Sequence, residues 1–147
     1  CFGGTKNGMA MGEAVLFFDR SLATDFAYRC KQAGQLASKM RYLAAPWARM
    51  FETGAWLANA RHANASASRF AQAIEGIPGV KVMSPVQANA VFLRMSEAVS
   101  NFLRARGWHF YTFIGGGARF MFAWDAQADQ VDALARDVRL AATAYPS

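Results

Sequence analysis

The amino-acid sequence predicts an α+β fold, in which a small antiparallel sheet is covered on one face by helices. In the first half, apolar residues recur at helical spacing in two long stretches within residues 21–75. In the second half the pattern changes to the order β-β-α-β-β-α, over residues 80–144. At 147 residues the chain has the size of one domain and is long enough to bury a core without disulfides or metals.

The first half is predicted to contain a strand at residues 13–18 and two helices. Ser21, with Thr24 and Asp25, indicates the start of the first helix, because hydroxyl and acidic side chains favour helix N-termini. We expect this helix to bend near Gly34 and to end at Pro46, since proline cannot donate a helical hydrogen bond.

The second helix of the first half is predicted from about Glu52 to Glu75, and the glycine- and proline-containing turn at 76–79 ends it. Its inward face is expected to consist of Trp56, Leu57, Ala60, Ala63, Ala67, Phe70, Ala71 and Ile74.

The second half is predicted to form four strands and two helices. The strands are expected at residues 80–83, 88–94, 108–114 and 119–124, the last two around Gly115-Gly116-Gly117, and the helices at 96–106 and 129–144. Their predicted inward residues are Val99, Phe102 and Leu103 in the first helix and Val131, Leu134, Val138 and Leu140 in the second.

Composition and charge narrow the function classes. The net charge of +6 is concentrated between residues 20 and 69, where eight basic residues stand against two acidic ones. No basic run and no helix-turn-helix, zinc or RNA-recognition pattern accompanies this charge, so we expect no nucleic-acid partner. The two cysteines and two histidines form no metal-ligand spacing, which predicts no metal site. A basic, non-catalytic interaction domain stays open as an alternative.

The sequence also supports expectations about where the protein is located in the cell and whether the chain is part of a longer polypeptide. The longest apolar run, residues 14–18, is too short to cross a bilayer, so we expect no membrane association and a cytoplasmic location. The sequence begins without methionine, inside a glycine-rich loop, and we therefore expect it to be part of a longer polypeptide.

Lys6 is the first candidate for chemistry, because it lies among three glycines, after Thr5 and before Asn7. Glycines let a ligand approach the backbone. A lysine amine can condense with a carbonyl, as in pyridoxal phosphate enzymes, where neighbouring hydroxyls and amides hold the phosphate. Thr5 precedes the lysine instead of following it, which argues against a nucleotide-binding phosphate loop. On spacing alone, a surface lysine in a turn remains the leading alternative.

Several blocks of sequence, in order, resemble one family. They are Gly3-Gly4-Thr5-Lys6-Asn7-Gly8, residues 31–43, residues 56–64, residues 85–92 and Gly107-Trp108. Together they resemble the low-specificity L-threonine aldolases, in the β-eliminating-lyase branch of the fold-type-I pyridoxal phosphate enzymes. The resemblance covers nearly the whole chain, and what it lacks is the family's N-terminal two-thirds.

The resemblance implies a fold and a division of the chain. Residues 1–20 would be the cofactor-lysine loop and strand of the large domain, residues 21–75 long connecting helices, and residues 76–147 the C-terminal α+β small domain. The full-length protein would be a homo-oligomer, a dimer or a tetramer. It would cleave threonine or allo-threonine to glycine and an aldehyde with pyridoxal 5'-phosphate as cofactor, whereas the chain alone is expected to be inactive. Another pyridoxal phosphate-dependent β-eliminating lyase or an aminotransferase is the nearest alternative.

The resemblance also assigns roles to residues. Lys6 would be the catalytic lysine that forms a Schiff base with the cofactor. Thr5 would bind the cofactor phosphate, unless its hydroxyl only bonds its own backbone. Lys31 stands where relatives have a basic residue near that phosphate or the subunit boundary, with a solvated helix charge as the alternative. Arg119 falls where the family binds the substrate carboxylate, a planar group that a guanidinium matches with two hydrogen bonds; the alternative is a strand-end arginine paired with Asp125.

Overall fold

The computed structural model describes residues 1–113 and 115–146, and it confirms the α+β class. The described part contains five α-helices, a two-stranded antiparallel sheet and a four-stranded antiparallel sheet. The chain divides into two compact units, Cys1–Ala58 and Asn59–Ser147. Ile114, the predicted last residue of an aromatic strand, lies outside the described residues.

The first unit opens with a short hairpin. Strand β1 (Phe2–Gly3) pairs with β2 (Glu13–Ala14), and Gly3 lies opposite Glu13. The predicted strand at residues 13–18 is therefore wrong beyond Ala14, and Phe18 is 95% exposed. The residues after Ala14 find no ladder partner in the described chain, and apolar composition alone does not make a strand.

The first predicted helix is shorter than expected and starts later. Ser21 does not cap an α-helix but lies in a 3₁₀ turn, Arg20–Ala23, whose cap is the Asp19 carboxylate, 2.8 Å from the Ser21 amide nitrogen. Helix α1 (Phe26–Gln32) starts after this turn. It does not continue through Gly34 but ends at Gln32, just before Gly34, whose left-handed conformation (φ 70°) is typical of residues that follow a helix C-terminus.

The predicted helix end at Pro46 is also wrong, because Pro46 lies inside helix α2 (Arg41–Thr53). In the second turn of a helix a proline removes one hydrogen bond, to the Tyr42 carbonyl here, while its fixed φ is already helical. After the proline, the rings of Trp47 and Phe51, which are one helical turn apart, stack with their centres 5.6 Å apart. The helix ends instead at Gly54, with φ 70°.

The second predicted helix exists as α3 (Ala55–Ala73), which starts in the first unit and continues into the second. Ala63, Ala67, Phe70 and Ile74 are buried as expected. Leu57 is exposed, so its predicted inward position is wrong.

The second unit contains the four-stranded sheet and two further helices. In chain order these elements are β3 (Lys81–Val82), β4 (Ala90–Arg94), α4 (Glu97–Ala105), β5 (Tyr111–Thr112), β6 (Gly117–Met121) and α5 (Ala128–Ala144). The spatial strand order is β3-β4-β6-β5, antiparallel throughout, so two strands that are distant in sequence are the central pair. All four predicted strands and both predicted helices are present, with shorter strands than expected.

The core of the second unit lies between one face of the sheet and the helices α3, α4 and α5. Alternate strand residues face it, among them Val91 and Leu93 of β4 and Ala118 and Phe120 of β6. The helices contribute Ala67, Phe70, Ile74, Val99, Leu103, Val131, Leu134 and Val138. Leu140 is 54% exposed, so its predicted inward position is wrong. The intervening strand residues, including Arg119, therefore lie on the sheet face away from these helices.

Two sets of polar contacts join α5 to other parts of the second unit. Arg69 on α3 forms two parallel hydrogen bonds to Asp132 on α5, of 2.6 and 2.7 Å. The buried Asp137 carboxylate accepts a hydrogen bond from Trp108 Nε1 at 2.8 Å and forms an ion pair with Arg106, whose Nε lies 2.9 Å from the same oxygen. Hydrophobic spacing could not indicate these pairs, because they depend on how two distant helices pack.

No helix in residues 1–113 or 115–146 combines the length and apolar character that crossing a membrane requires.

A matched pair of leucines tests the described core. Leu103 is fully buried and Leu140 is exposed. We expect Leu103→Ala to lower the free energy of unfolding by about 2–5 kcal/mol, because it removes buried methyl groups and leaves a cavity. Leu140→Ala should cost less than about 1 kcal/mol, since it opens no cavity. Urea unfolding of both variants measures the two losses, and equal losses would contradict the described packing of α4 and α5.

The Arg69–Asp132 pair predicts a pH dependence. Hydrogen bonding from Arg69 holds the pKa of the Asp132 carboxyl below its usual value. The pair therefore stabilises the fold above the unfolded carboxyl's pKa of about 3.9, and this contribution is lost as pH falls through the lower folded pKa. We expect the difference in unfolding free energy between the wild type and Asp132→Asn to be largest near neutral pH and to shrink in acid. Glu75→Gln, at an exposed carboxylate without a described ion pair, is the control. A difference that does not change with pH would contradict the pair.

Candidate functional site

The Lys6 loop connects β1 to β2 and is closed by backbone hydrogen bonds at Gly4. The Gly4 amide donates to the Gly12 carbonyl at 2.9 Å, and the Gly4 carbonyl accepts from Asn7 and Met9 at 2.9 and 3.0 Å. Between these bonds Thr5, Lys6 and Asn7 form a 3₁₀ turn. A lysine in this loop is therefore held by a defined backbone.

Position 4 requires glycine because of steric crowding and not because of its backbone conformation, since its φ of −61° is available to any residue. A Cβ at Gly4 would lie 2.5 Å from the Gly12 carbonyl oxygen and 3.0 Å from both Met9 Sδ and Trp47 Cζ2. The first of these neighbours is backbone and cannot move aside. The loop thus packs on Trp47 of α2 through a glycine that no larger residue can replace without moving the chain.

Lys6 and Thr5 are exposed, and within the described residues neither side chain forms a hydrogen bond or an ion pair. Asn7, the next residue, donates its side-chain amide to the Trp56 carbonyl at 3.0 Å and so connects the loop to the start of α3. The turn therefore leaves both the Lys6 amine and the Thr5 hydroxyl exposed, without a bond to the rest of the described chain.

Glu13 is a neighbour of Lys6 that the sequence analysis missed. A Cβ built on Gly3 would lie 3.2 Å from a Glu13 carboxylate oxygen and 3.7 Å from Lys6 Cδ, so both side chains extend over Gly3. The signal for this contact is the hairpin register, which places Glu13 opposite Gly3. That register becomes visible only when the residues after the glycine-rich loop are paired with those before it.

Lys31 lies on α1 and is exposed. It makes no side-chain hydrogen bond or ion pair with any other residue of the described ranges, and so none that joins it to the Lys6 loop. Its assignment to the cofactor phosphate stays a prediction.

Arg119 lies on β6 in the second unit, directly opposite Phe92 of β4 on one side and Tyr111 of β5 on the other. Its guanidinium carbon is 5.3 Å from the ring centre of Tyr111 and 5.7 Å from that of Phe113. Among the described residues it forms no ion pair with Asp125 or with any other carboxylate. Its Nε atom is hidden from solvent and has no acceptor in the described chain. A half-buried arginine with uncommitted donors can bind a planar anion.

A cleft of about 380 Å³ lies between β6, the segment after it and the start of α5 in the same unit. Trp108, Phe120 and Phe122 supply apolar walls, and His109, Asp125 and Gln130 supply polar ones. Beside it, the His62 ring nitrogen Nε2 lies 2.7 Å from the Ala126 carbonyl oxygen, so it must donate a proton there. This contact links His62 on α3 to the segment before α5.

The steric requirement at Gly4 predicts the effect of a small substitution. Gly4→Ala forces the backbone at Gly12 or the Trp47 ring to move, and we expect it to lower the free energy of unfolding by about 1–3 kcal/mol. Gly3→Ala is the matched control, because its new methyl group meets only the flexible side chains of Glu13 and Lys6. Thermal unfolding of both variants measures the difference, and equal stability would show that the loop is not packed as described.

Comparison with known proteins agrees with the resemblance read from the sequence. The β-eliminating lyase family matches residues 1–98. The chain is 63% identical over 141 residues to the low specificity L-threonine aldolase of Pseudomonas aeruginosa, which is 95% of this chain and 41% of that protein. It is 62% identical over 140 residues to the protein of the same name from Pseudomonas sp. (strain NCIMB 10558), which is 95% of this chain and 40% of that protein. The chain thus spans about two fifths of the length of these relatives. It belongs to the β-eliminating lyase family.

Proposed function

We propose that this chain is the Lys6- and Arg119-bearing part of a pyridoxal phosphate-dependent lyase that cleaves β-hydroxy amino acids, such as threonine and allo-threonine, to glycine and an aldehyde. The observation that carries the proposal is the exposed Lys6 amine, which the fold leaves without a partner in the described chain, in a loop closed on Gly4. The names of the two relatives, both low specificity L-threonine aldolases, support the substrate class.

The residues present fit pyridoxal phosphate. Lys6 supplies an accessible amine for the cofactor's carbonyl group, and the adjacent Thr5 supplies a hydroxyl for its phosphate. Lys31 would add a positive charge for the same phosphate. When bound, the cofactor supplies an electron sink for the pair released on Cα–Cβ cleavage.

Arg119 would bind the substrate by its carboxylate. The guanidinium presents parallel N–H groups that match a carboxylate with two hydrogen bonds. Its place on a central strand with a fixed register would hold the carboxylate, and with it the rest of the amino acid, in one orientation. Burying the Arg119 Nε–H group without an acceptor costs free energy. A bound anion would supply acceptors to this side chain, which supports the same role.

We further propose that residues 76–147 correspond to the C-terminal small domain of a fold-type-I pyridoxal phosphate enzyme and residues 1–20 to the cofactor-lysine region of its large domain. The long connecting helices, residues 21–75, complete this division. Homo-oligomeric assembly and a cytoplasmic location stay predictions.

A second candidate function is β-elimination, which the family match favours. The products distinguish the two reactions, since retro-aldol cleavage of threonine releases glycine and acetaldehyde, whereas β-elimination releases ammonia and a 2-oxo acid. Product analysis with the full-length protein decides between them.

The role of Lys6 predicts a complete loss of function on substitution. In the full-length protein, we expect Lys6→Ala to abolish covalent retention of the cofactor after borohydride reduction, read by mass spectrometry, and to lower turnover of threonine by several orders of magnitude. Lys81→Ala, at an exposed lysine on β3, is the control. Normal turnover by Lys6→Ala would show that the lysine is misassigned.

The role of Arg119 predicts weaker substrate binding with the cofactor still attached. We expect Arg119→Ala to cost on the order of 2–5 kcal/mol in kcat/KM for threonine, as when one partner of a desolvated charge pair is removed. Arg49→Ala should cost roughly 0–1 kcal/mol, because its pair with Glu52 is exposed and 3.7 Å long. Added salt should weaken substrate binding less than it weakens nonspecific anion binding. Equal losses in the two variants would mean that general surface charge, and not a site, attracts the substrate.

A further inference from the structure

Two aromatic side chains hold the guanidinium of Arg119. Its central carbon lies 5.3 Å from the ring centre of Tyr111 and 5.7 Å from the ring centre of Phe113. Both distances are in the range in which the negative face of an aromatic ring attracts a cation. The three residues occupy adjoining positions on the sheet face away from the helices, so the contact belongs to the fold of the second unit.

The sheet fixes both rings in turn. Tyr111 is the register partner of Arg119, and the Phe113 amide donates to the Gly117 carbonyl at 2.7 Å. The Phe113 ring stacks on Phe92, which lies opposite Arg119 on the other side, with ring centres 5.7 Å apart.

An aromatic ring differs from a carboxylate partner because it does not occupy the N–H donors of an arginine. A carboxylate partner occupies N–H donors, as Asp132 does with Arg69. A ring attracts the charge and leaves the donors unused. In residues 1–113 and 115–146 no acceptor takes any of the five N–H groups of Arg119. The side chain is thus restrained while its hydrogen-bonding capacity remains uncommitted.

We infer that Tyr111 and Phe113 are positioning residues, which orient the Arg119 guanidinium so that it selects a carboxylate-bearing substrate. This inference rests on the proposed function, in which Arg119 binds the substrate carboxylate. An arginine side chain has several rotatable bonds, and its planar fork binds a carboxylate well only when it is held in the correct plane. Removing a ring therefore lowers the preference for a carboxylate over a neutral group of the same shape.

The test uses the full-length protein loaded with pyridoxal phosphate and two ligands, glycine and glycinamide. Both have the amine, and only glycine has the carboxylate. Titration of the bound cofactor's absorbance gives a Kd for each ligand without any need for turnover. We expect Tyr111→Leu and Phe113→Leu each to reduce the glycine preference, Kd(glycinamide)/Kd(glycine), by roughly 3- to 30-fold. Tyr111→Phe should retain the preference, because it keeps the ring.

The controls separate positioning from general damage. Tyr145→Leu replaces another exposed tyrosine of the same unit, which packs edge-on against Phe102 and has no contact with Arg119, and should leave the preference unchanged. Tyr111 is 69% exposed, so its replacement should not unfold the protein even if that of Phe113 does.

Arg119→Leu distinguishes the failure of this inference from the failure of the proposed function. If Arg119→Leu abolishes the glycine preference while Tyr111→Leu and Phe113→Leu keep it, the positioning role is overturned and the proposed function stands. If Arg119→Leu also keeps the preference, Arg119 does not bind the carboxylate, and both the positioning role and the assignment of Arg119 in the proposed function are overturned.

Discussion

The antiparallel pairing of β4 with β6 is the constraint on which the rest of the second unit depends. It places Val91 opposite Phe120 and, one step along, Phe92 opposite Arg119. Because side chains alternate across a strand, the first pair faces the helices and the second faces away from them. A slip of one residue would bring the arginine into the core and expose the phenylalanine. The burial of Phe120 against Phe70 therefore fixes the position of Arg119 as well.

The Lys6 loop is held differently, because only Gly4 and Met9 in it are buried and its polar side chains are mostly exposed. Its shape comes from the backbone hydrogen bonds at Gly4 and from close contact between glycine backbone and the Trp47 ring. Such a loop can present a polar side chain without enclosing it. The first unit thus holds its candidate lysine by backbone geometry, whereas the second unit holds its candidate arginine by strand register and ring contacts.

The sequence predicts those structural features that depend on residues close together in the chain, and it does not predict those that depend on strand register. The helix at 129–144 and the strand at 88–94 were recognisable because their apolar spacing reports directly on one buried face. The predicted helix end at Pro46 is wrong because the effect of a proline depends on its distance from the helix start. The predicted inward position of Leu140 is wrong because an apolar residue can lie at the edge of a helical face. The glycine-rich loop marks Lys6 as a candidate, and the family resemblance assigns the roles of Lys6 and Arg119. Glu13 and the aromatic partners of Arg119 could not be found, since they become neighbours only when the strand register is known.

The arginines of this chain show why the surroundings of Arg119 matter. Arg69 and Arg106 form ion pairs with the carboxylates of Asp132 and Asp137, and these pairs join residues that are distant in the sequence. Arg104 also lies over an aromatic ring, that of Phe110, so ring contact by itself does not mark a site. Arg119 combines ring contact with a buried Nε that finds no acceptor in the described residues. Hiding an N–H group without a hydrogen bond costs about 1–3 kcal/mol, which a purely structural arginine would avoid by turning to solvent or to a carboxylate. The Tyr111 and Phe113 rings favour the conformation that carries this cost, and a bound anion would offset it.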